Sequence, residues 1–270
     1  MTEIIKIPAS MGSLYGVLHA RSSCLLILSH GFGGSHTNHH DYADFFLSKG
    51  MSVFNLDFCG GGLESKSDGS MLEMTVLTEA EDLNAVIDHF KNDPRFTKLF
   101  LMGFSQGGFV SSYVAAQRPE DVAGLVLEYP AYVLQDDARK RMLPDGAFTA
   151  TSNVMGQTIG RVYNEAAVSF DIYDVIGGYT GKALILHGDQ DGIVPLKYSA
   201  RAAKVIPKAE LIVIPGQGHG FTGTARRQAM EKEWAFMNTS PSMPSSLVFN
   251  HPIGQMPQLA PLPIPPVYCI

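Results

Sequence analysis

The sequence has little cysteine, few charged residues and no long apolar run. Its three cysteines, Cys24, Cys59 and Cys269, are too few and too widely spaced for a disulfide framework, so we expect a reducing compartment. No apolar run reaches the length of a membrane-spanning helix. The first residues lack the basic and apolar regions of a signal peptide, which predicts a cytoplasmic protein. With 45% hydrophobic residues among 270, the class that remains is a globular domain with a sizeable core.

Positive charge and ligand-binding motifs are scarce as well. Lysine and arginine number 20 against 26 acidic residues, and this formal net charge of −6 argues against nucleic acid as a partner. The glycines at 60–62 are not followed by the Lys-Ser/Thr pair of a phosphate-binding loop. His36, His39 and His40 are close in sequence, but no nearby cysteine or spaced acid completes a metal-ligand set. We therefore expect no cofactor and no metal.

What the sequence does have is an alternation of apolar strands and amphipathic helices. Apolar residues recur at helical spacing between the strands, most clearly over 75–91. Strands alternating with helices predict an α/β fold, in which helices cover both faces of a mostly parallel, eight-stranded sheet. The predicted strands lie near 4–7 and 14–19, which form an opening antiparallel pair, and near 24–29, 51–58, 98–102, 122–127, 183–186 and 211–214.

The most informative motif is Gly-Phe-Ser-Gln-Gly at 103–107, between an apolar strand and a helix. In a nucleophile elbow the chain turns sharply from strand to helix and presents a serine above the sheet. Only small residues fit two places before and two places after that serine. The motif and its context together predict Ser105 as a catalytic nucleophile. The alternative is a tight strand-to-helix turn with a helix-capping serine.

A serine nucleophile needs a base, and the base needs an orienting acid. The predicted strand at 183–186 runs into a loop that contains Asp189 and Asp191, and the strand at 211–214 runs into a loop that contains His219. Active-site residues of open parallel sheets lie at the carboxyl ends of strands, which all three positions satisfy. We favour Asp191 as the acid, because it lies further out on the loop. Asp189 is expected to accept backbone N–H groups of the same loop.

Acyl transfer also requires N–H donors for the oxyanion that develops on the substrate. The segment 29–34, Ser-His-Gly-Phe-Gly-Gly, follows a predicted strand in the place where such a donor loop occurs. The backbone N–H groups of Phe32 and Gln106 are the predicted donors, and a simple turn is the alternative for this loop. We expect Gly31 and Gly33 to contact the substrate.

These segments resemble the α/β-hydrolase superfamily, and within it the small bacterial cinnamoyl and feruloyl esterases. The resemblance covers about residues 1–238, and the closer match includes 56–62 (Leu-Asp-Phe-Cys-Gly-Gly-Gly) and 104–108 (Phe-Ser-Gln-Gly-Gly). It implies the α/β-hydrolase fold and a serine esterase that acts on hydroxycinnamate esters without a cofactor. Monoacylglycerol-lipase-like enzymes, acyl-CoA thioesterases and short-chain carboxylesterases use much of the same scaffold. A noncatalytic hydrolase-fold binding protein is a further alternative.

The stretch 131–180 is far longer than a usual connection between strands. We interpret it as a lid over Ser105, inserted between the sixth and seventh strands, whose apolar and aromatic side chains line a pocket. A packed insertion with its own small core is the alternative. In the esterases that the chain resembles, this insertion grips the phenolic ring. Asp137 aligns with a position that binds the ring hydroxyl, and Tyr163 lies near a second such position.

The predicted domain organisation is a hydrolase domain at 1–238, which includes the insertion, and a tail at 239–270. The tail contains eight of the 16 prolines and no Asp, Glu, Lys or Arg, which predicts an extended segment. The expected partner is a small-molecule ester, with no nucleic acid and no membrane span. A homodimer is an assembly that the sequence allows.

Overall fold

The computed structural model describes residues 2–239 and divides them into ten strands and eight helices. The strands are β1 (Thr2–Ala9), β2 (Gly12–His19), β3 (Cys24–Ser29), β4 (Ser52–Asp57), β5 (Lys98–Phe104), β6 (Gly124–Glu128), β7 (Thr151–Val154), β8 (Gln157–Gly160), β9 (Ala183–Gly188) and β10 (Ala209–Ile214). The helices are α1 (His40–Ser48), α2 (Val76–Lys91), α3 (Gln106–Gln117), α4 (Leu134–Arg141), α5 (Arg161–Val168), α6 (Tyr173–Ile176), α7 (Lys197–Val205) and α8 (Gly223–Met237).

Eight strands form one sheet in the order β1-β2-β4-β3-β5-β6-β9-β10. β2 pairs antiparallel with both of its neighbours, and every other pairing in this sheet is parallel. The central strands β3, β5, β6 and β9 are almost entirely buried, as expected where helices cover both faces of a parallel sheet. The predicted fold class and the opening antiparallel pair are confirmed.

The helices divide the core into two layers. Helices α2, α3 and α7 lie on one face of the sheet, where Leu83, Val110 and Ala202 belong to the larger buried cluster. Helices α1 and α8 lie on the other face, where Phe46 and Met230 belong to the smaller cluster. This arrangement leaves the carboxyl ends of the parallel strands clear for the loops that follow them.

Helix α2 shows why a predicted helix begins and ends where it does. The Thr75 hydroxyl accepts hydrogen bonds from the N–H groups of Leu77 and Thr78, and the Thr78 hydroxyl accepts one from Thr75 N–H. This capping box satisfies donors that a helix N-terminus otherwise leaves unpaired. The helix ends before Pro94, close to the predicted boundaries of 75–91.

The insertion lies between β6 and β9, which are the sixth and seventh strands of the sheet in chain order, as the sequence predicts. It contains three short helices and the antiparallel hairpin β7–β8, which the strand pattern did not predict. The expectation that the aromatic residues of the insertion line a pocket stays a prediction for Tyr132, Tyr163 and Tyr173. These side chains are buried in the larger core cluster, because the insertion packs against the helices below it.

The Pro-rich segment lies outside the described residues beyond Thr239, and so does Cys269. Within residues 2–239, none of the helices is both long and apolar enough to cross a bilayer.

Candidate active site

Ser105 occupies a strained turn between β5 and α3. Its φ of 51° and ψ of −116° place it in a backbone region that residues with a side chain rarely adopt. A Cβ atom on Gly103 would lie 2.3 Å from the Gly107 carbonyl oxygen, and one on Gly107 would lie 2.3 Å from the Ser29 carbonyl oxygen. The two glycines are therefore required by close backbone packing, which is the expected geometry of a nucleophile elbow.

Ser105, His219 and Asp191 form a continuous hydrogen-bonded row. The Nε2 atom of His219 lies 2.9 Å from Ser105 Oγ, and its Nδ1 atom lies 2.8 Å from Asp191 Oδ2. Ser105 follows β5, Asp191 follows β9 and His219 follows β10. The sheet thus brings together side chains that are as far as 114 residues apart in the sequence. When Nδ1 carries the hydrogen and donates a hydrogen bond to the Asp191 carboxylate, the lone pair of Nε2 can accept the proton of the serine hydroxyl.

The Asp191 carboxylate is held by several donors. Its Oδ1 atom accepts the N–H groups of Ile193 and Val194, each at 2.9 Å, and its Oδ2 atom also lies 3.2 Å from His187 Nε2. Burial opposes ionisation, but hydrogen bonds from His187, His219 and Val194 outweigh it and hold the pKa of Asp191 well below its usual value. The carboxylate is therefore ionised across the physiological range of pH.

Asp189 has a different role from Asp191. Its Oδ1 atom accepts the Gly216 N–H at 2.7 Å, which ties the loop after β9 to the loop after β10. The expectation that Asp189 accepts N–H groups of its own loop is wrong, because the parallel pairing of β9 and β10 brings the second loop within reach.

The loop after β3 lies directly against the serine. A Cβ atom on Gly31 would lie 3.2 Å from Ser105 Cβ, so a side chain there would crowd the nucleophile. Gly33 has a φ of 69° and faces the Gln157 side chain of β8, which brings the hairpin to this loop. Gln106 is the first residue of α3, so its N–H is among those that a helix leaves without an intrahelical acceptor. Phe32 and Gln106 thus lie on the two segments that flank Ser105.

A cavity of about 250 Å³ opens beside the serine. Met155, at the tip of the β7–β8 hairpin, lines it, so the insertion does reach the site through this residue. The other lining residues come from the end of β5 and from the loops after β3, β5, β6 and β10, and are Gly31, Phe32, Gly34, Asn38, His39, Phe104, Ser105, Tyr129 and His219.

Two aromatic contacts shape the wall of this cavity. The ring of Tyr129 packs edge-on against His219, with centroids 4.7 Å apart, and Tyr129 has an unusual positive φ of 39°. The ring of His39 stacks on Phe104 at 3.6 Å. Burial, followed by the charge of Arg226, lowers the pKa of His39 to about 3, so this ring is neutral. The wall therefore contains the aromatic rings of Phe104 and Tyr129 and the neutral imidazole of His39.

Asp137 and Tyr163, the two residues implied by the resemblance, differ in environment. Asp137 is partly exposed, and its Oδ1 atom lies 2.8 Å from Lys140 Nζ on the same helix. Helix α4 turns this face toward solvent, so the Asp137 carboxylate is not enclosed by the core. Tyr163 is buried, and its hydroxyl donates to Gln106 Oε1 at 2.6 Å. The hydrogen-bond partners of the two side chains are Lys140 and Gln106 rather than Ser105.

Sequence reasoning missed His187 and Tyr129. His187 lies at the end of β9, where its Nδ1 faces the Ser199 hydroxyl at 2.7 Å and its Nε2 faces the Val194 carbonyl at 2.8 Å. The His-Gly-Asp-Gln-Asp run was the available signal for it. Among residues 2–239, no group of three or more His, Cys, Asp or Glu side chains is arranged to hold a metal ion.

A family model described as serine aminopeptidase, S33, matches residues 20–174, which is more than half of the chain. Among curated proteins, monoglyceride lipase of Mus musculus is 25% identical over 198 residues, covering 72% of this chain and 64% of that protein. The mitochondrial palmitoyl-protein thioesterase ABHD10 of Mus musculus is 28% identical over 185 residues, which cover 63% of this chain and 59% of that protein. The chain thus spans less than two thirds of the length of each of these two relatives.

Two solved structures are similar to this chain over most of its length. Est1E from Butyrivibrio proteoclasticus, with ferulic acid bound, matches with a TM-score of 0.79 and 26% identity, covering 86% of this chain and 97% of that one. Mouse alpha/beta hydrolase domain-containing protein 10 matches with a TM-score of 0.70 and 20% identity, which shows the fold alone, over 87% of this chain and 98% of that one.

Proposed function

The chain belongs to the serine aminopeptidase S33 family of α/β hydrolases, and from this membership we propose that it hydrolyses hydroxycinnamate esters through an acyl-enzyme on Ser105. The similarity of the chain to esterases and lipases supports ester hydrolysis as the type of reaction. The observation on which the proposal depends is the row from Ser105 through His219 to Asp191, with distances of 2.9 and 2.8 Å.

In the first half of the reaction, Ser105 Oγ attacks the ester carbonyl carbon while His219 Nε2 takes its proton. Negative charge develops on the carbonyl oxygen, and the N–H groups of Phe32 and Gln106 stabilise it. Asp191 holds the His219 tautomer and stabilises the imidazolium. The tetrahedral intermediate then expels the alcohol, which receives the proton from His219.

In the second half, water attacks the acyl-enzyme carbonyl and His219 takes a proton from that water. A second tetrahedral intermediate collapses, and Ser105 leaves with the proton returned by His219. The carboxylic acid is released, and the enzyme regains its starting state. The proton transfers between Ser105 and His219 use atoms that lie 2.9 Å apart.

Two observations support a hydroxycinnamoyl group as the acyl part. The Est1E structure with ferulic acid is similar over most of this chain. The cavity of about 250 Å³ is lined by the aromatic side chains of Phe32, Phe104 and Tyr129, which suits an aromatic acyl group. We propose that the insertion 131–180 acts as the lid of this cavity, because Met155 lines it.

The test is a substrate panel with wild type and Ser105→Ala in parallel. The panel contains methyl ferulate, methyl p-coumarate, methyl cinnamate, p-nitrophenyl butyrate, a monoacylglycerol and an acyl-CoA. The proposal predicts the highest kcat/KM for methyl ferulate or methyl p-coumarate, with all turnover lost in the variant. A monoacylglycerol preference would make the chain a lipase, and an acyl-CoA preference would make it a thioesterase. Either result would overturn the hydroxycinnamate assignment while leaving the serine mechanism intact.

A further inference from the structure

A buried chain of hydrogen bonds runs behind the residue that follows Ser105. The Tyr163 hydroxyl donates to Gln106 Oε1 at 2.6 Å, and Gln106 Nε2 donates to Glu79 Oε2 at 2.9 Å. Nε2 also lies 3.6 Å from the sulfur of Met74. Each of the three linked side chains is 1% exposed. Both ends of the Gln106 amide are therefore satisfied by protein groups in a place that water does not reach.

The three residues come from three different parts of the fold. Tyr163 lies on α5 of the insertion, Gln106 begins the elbow helix α3, and Glu79 lies on α2 of the scaffold. The Tyr163 ring also packs edge-on against Phe32, with centroids 5.8 Å apart. A single side chain of the insertion thus contacts both residues whose N–H groups we assign to the oxyanion.

The orientation of a side chain and that of its own backbone N–H are linked through one Cα atom. Gln106 directly follows the strained Ser105, so small rotations there change the direction of its N–H. A buried amide that loses one of its two partners is unsatisfied and tends to reorient. With Tyr163 and Glu79 in place, the Gln106 amide has one orientation in which both bonds are made.

We propose that Glu79 and Tyr163 are positioning residues for the oxyanion hole, which act by holding the Gln106 amide and thereby its backbone N–H. The insertion then contributes to acyl transfer through Tyr163, in addition to its proposed role as a lid. This inference rests on the proposed role of Ser105 and Gln106 in acyl transfer.

The ionisation of Glu79 gives the proposal a signature that a purely structural residue lacks. Burial, opposed by the Gln106 hydrogen bond and reinforced by the charge of Asp82, raises the pKa of Glu79 to about 8. The other groups that face it, the Gln106 amide, the Met74 thioether and the Tyr163 phenol beyond the amide, are neutral at this pH. A carboxylate formed above pH 8 puts negative charge behind the developing oxyanion, so kcat should decline there.

The experiment compares Tyr163→Phe, Glu79→Leu and Glu79→Gln with wild type on methyl ferulate between pH 6.5 and 9.5. Tyr163→Phe and Glu79→Leu each remove one partner of the amide, and we expect kcat to fall roughly tenfold to a hundredfold while KM stays within about twofold. Glu79→Gln retains an acceptor for Nε2, so kcat near pH 7 should be close to wild type. It should also lack the decline that wild type shows around pH 8.

Tyr179→Phe is the matched control, because Tyr179 is a buried tyrosine of the same insertion whose hydroxyl donates to the Val122 carbonyl, away from the site. It should leave kcat unchanged. Unchanged kcat in Tyr163→Phe, or a decline near pH 8 that persists in Glu79→Gln, would overturn the proposal. If Glu79→Leu does not fold, these two variants still decide. Ser105→Ala separates a failure of the proposed function from a failure of this inference. Residual activity in that variant would refute the proposed function rather than the role of Glu79.

Discussion

Asp191 directs its Oδ2 atom at Nδ1 of His219, over a distance of 2.8 Å. Asp189, two residues earlier on the same loop, faces away and accepts the Gly216 N–H. The two carboxylates therefore have different hydrogen-bond partners, although the sequence alone allows either of them as the acid that orients His219. One orients the histidine, and the other joins two loops.

We predict that Asp191→Asn lowers kcat far more than Asp189→Asn. Loss of the carboxylate favours the wrong His219 tautomer, for which a decrease of about 10⁴ is expected. Asp189→Asn keeps an oxygen that can accept the Gly216 N–H, so its effect should stay within about tenfold. Steady-state kinetics of both variants on one ester decide the matter, and the opposite ranking would assign the acid to Asp189.

Asp137→Ala should weaken selection for a phenolic hydroxyl. A site that binds a hydroxyl discriminates against the analogue that lacks it. Asp137 is partly exposed and already paired with Lys140, so we expect a modest effect. The kcat/KM for methyl p-coumarate divided by that for methyl cinnamate should fall roughly fivefold, which corresponds to about 1 kcal/mol.

Asp136→Ala is the matched control for that change. Asp136 is the neighbouring carboxylate on α4 and accepts a hydrogen bond from Tyr198. It should leave the substrate ratio unchanged. If both variants change the ratio equally, or if neither does, Asp137 does not recognise the ring hydroxyl.

The stability of the fold should depend on pH through Glu79. Its pKa is raised from 4.5 in the unfolded chain to about 8 in the fold, so folding favours the neutral form. The stabilising effect of the neutral form is complete below pH 4.5 and is lost as pH rises through 8. Relative to Glu79→Gln, wild type should lose up to about 5 kcal/mol of unfolding free energy over this window. Denaturant unfolding of both proteins at pH 5, 7 and 9 measures it, and parallel stability curves would contradict the raised pKa.

Much of the sheet and the positions of the loop residues could be predicted from the sequence. The elbow could be predicted because strand, turn and helix are contiguous, and the small size of Gly103 and Gly107 is a local requirement. The loops of Asp191 and His219 could be predicted because each directly follows an apolar strand. Their catalytic roles, and those of Phe32 and Gln106, stay predictions until they are measured.

What could not be predicted depends on contacts between distant segments. The bonds from Gln106 to Glu79 and to Tyr163 join residues 27 and 57 positions apart, and no local pattern in the sequence indicates them. The β7–β8 hairpin has strands of four residues each, too short for a clear alternation, and its turn places the non-glycine Met155 at a positive φ. The burial of Tyr132 and Tyr173 likewise follows from how the insertion packs, which the sequence does not state.

The central claim is that Ser105 forms an acyl-enzyme, and mass spectrometry of rapidly quenched enzyme with methyl ferulate tests it most directly. The account predicts a feruloyl adduct on the peptide that contains Ser105 in wild type. The fraction of enzyme that carries this adduct should increase under conditions that slow deacylation. Ser105→Ala should show no adduct and a rate lower by about 10⁶. An adduct on another residue, or turnover by Ser105→Ala within tenfold of wild type, would contradict the account.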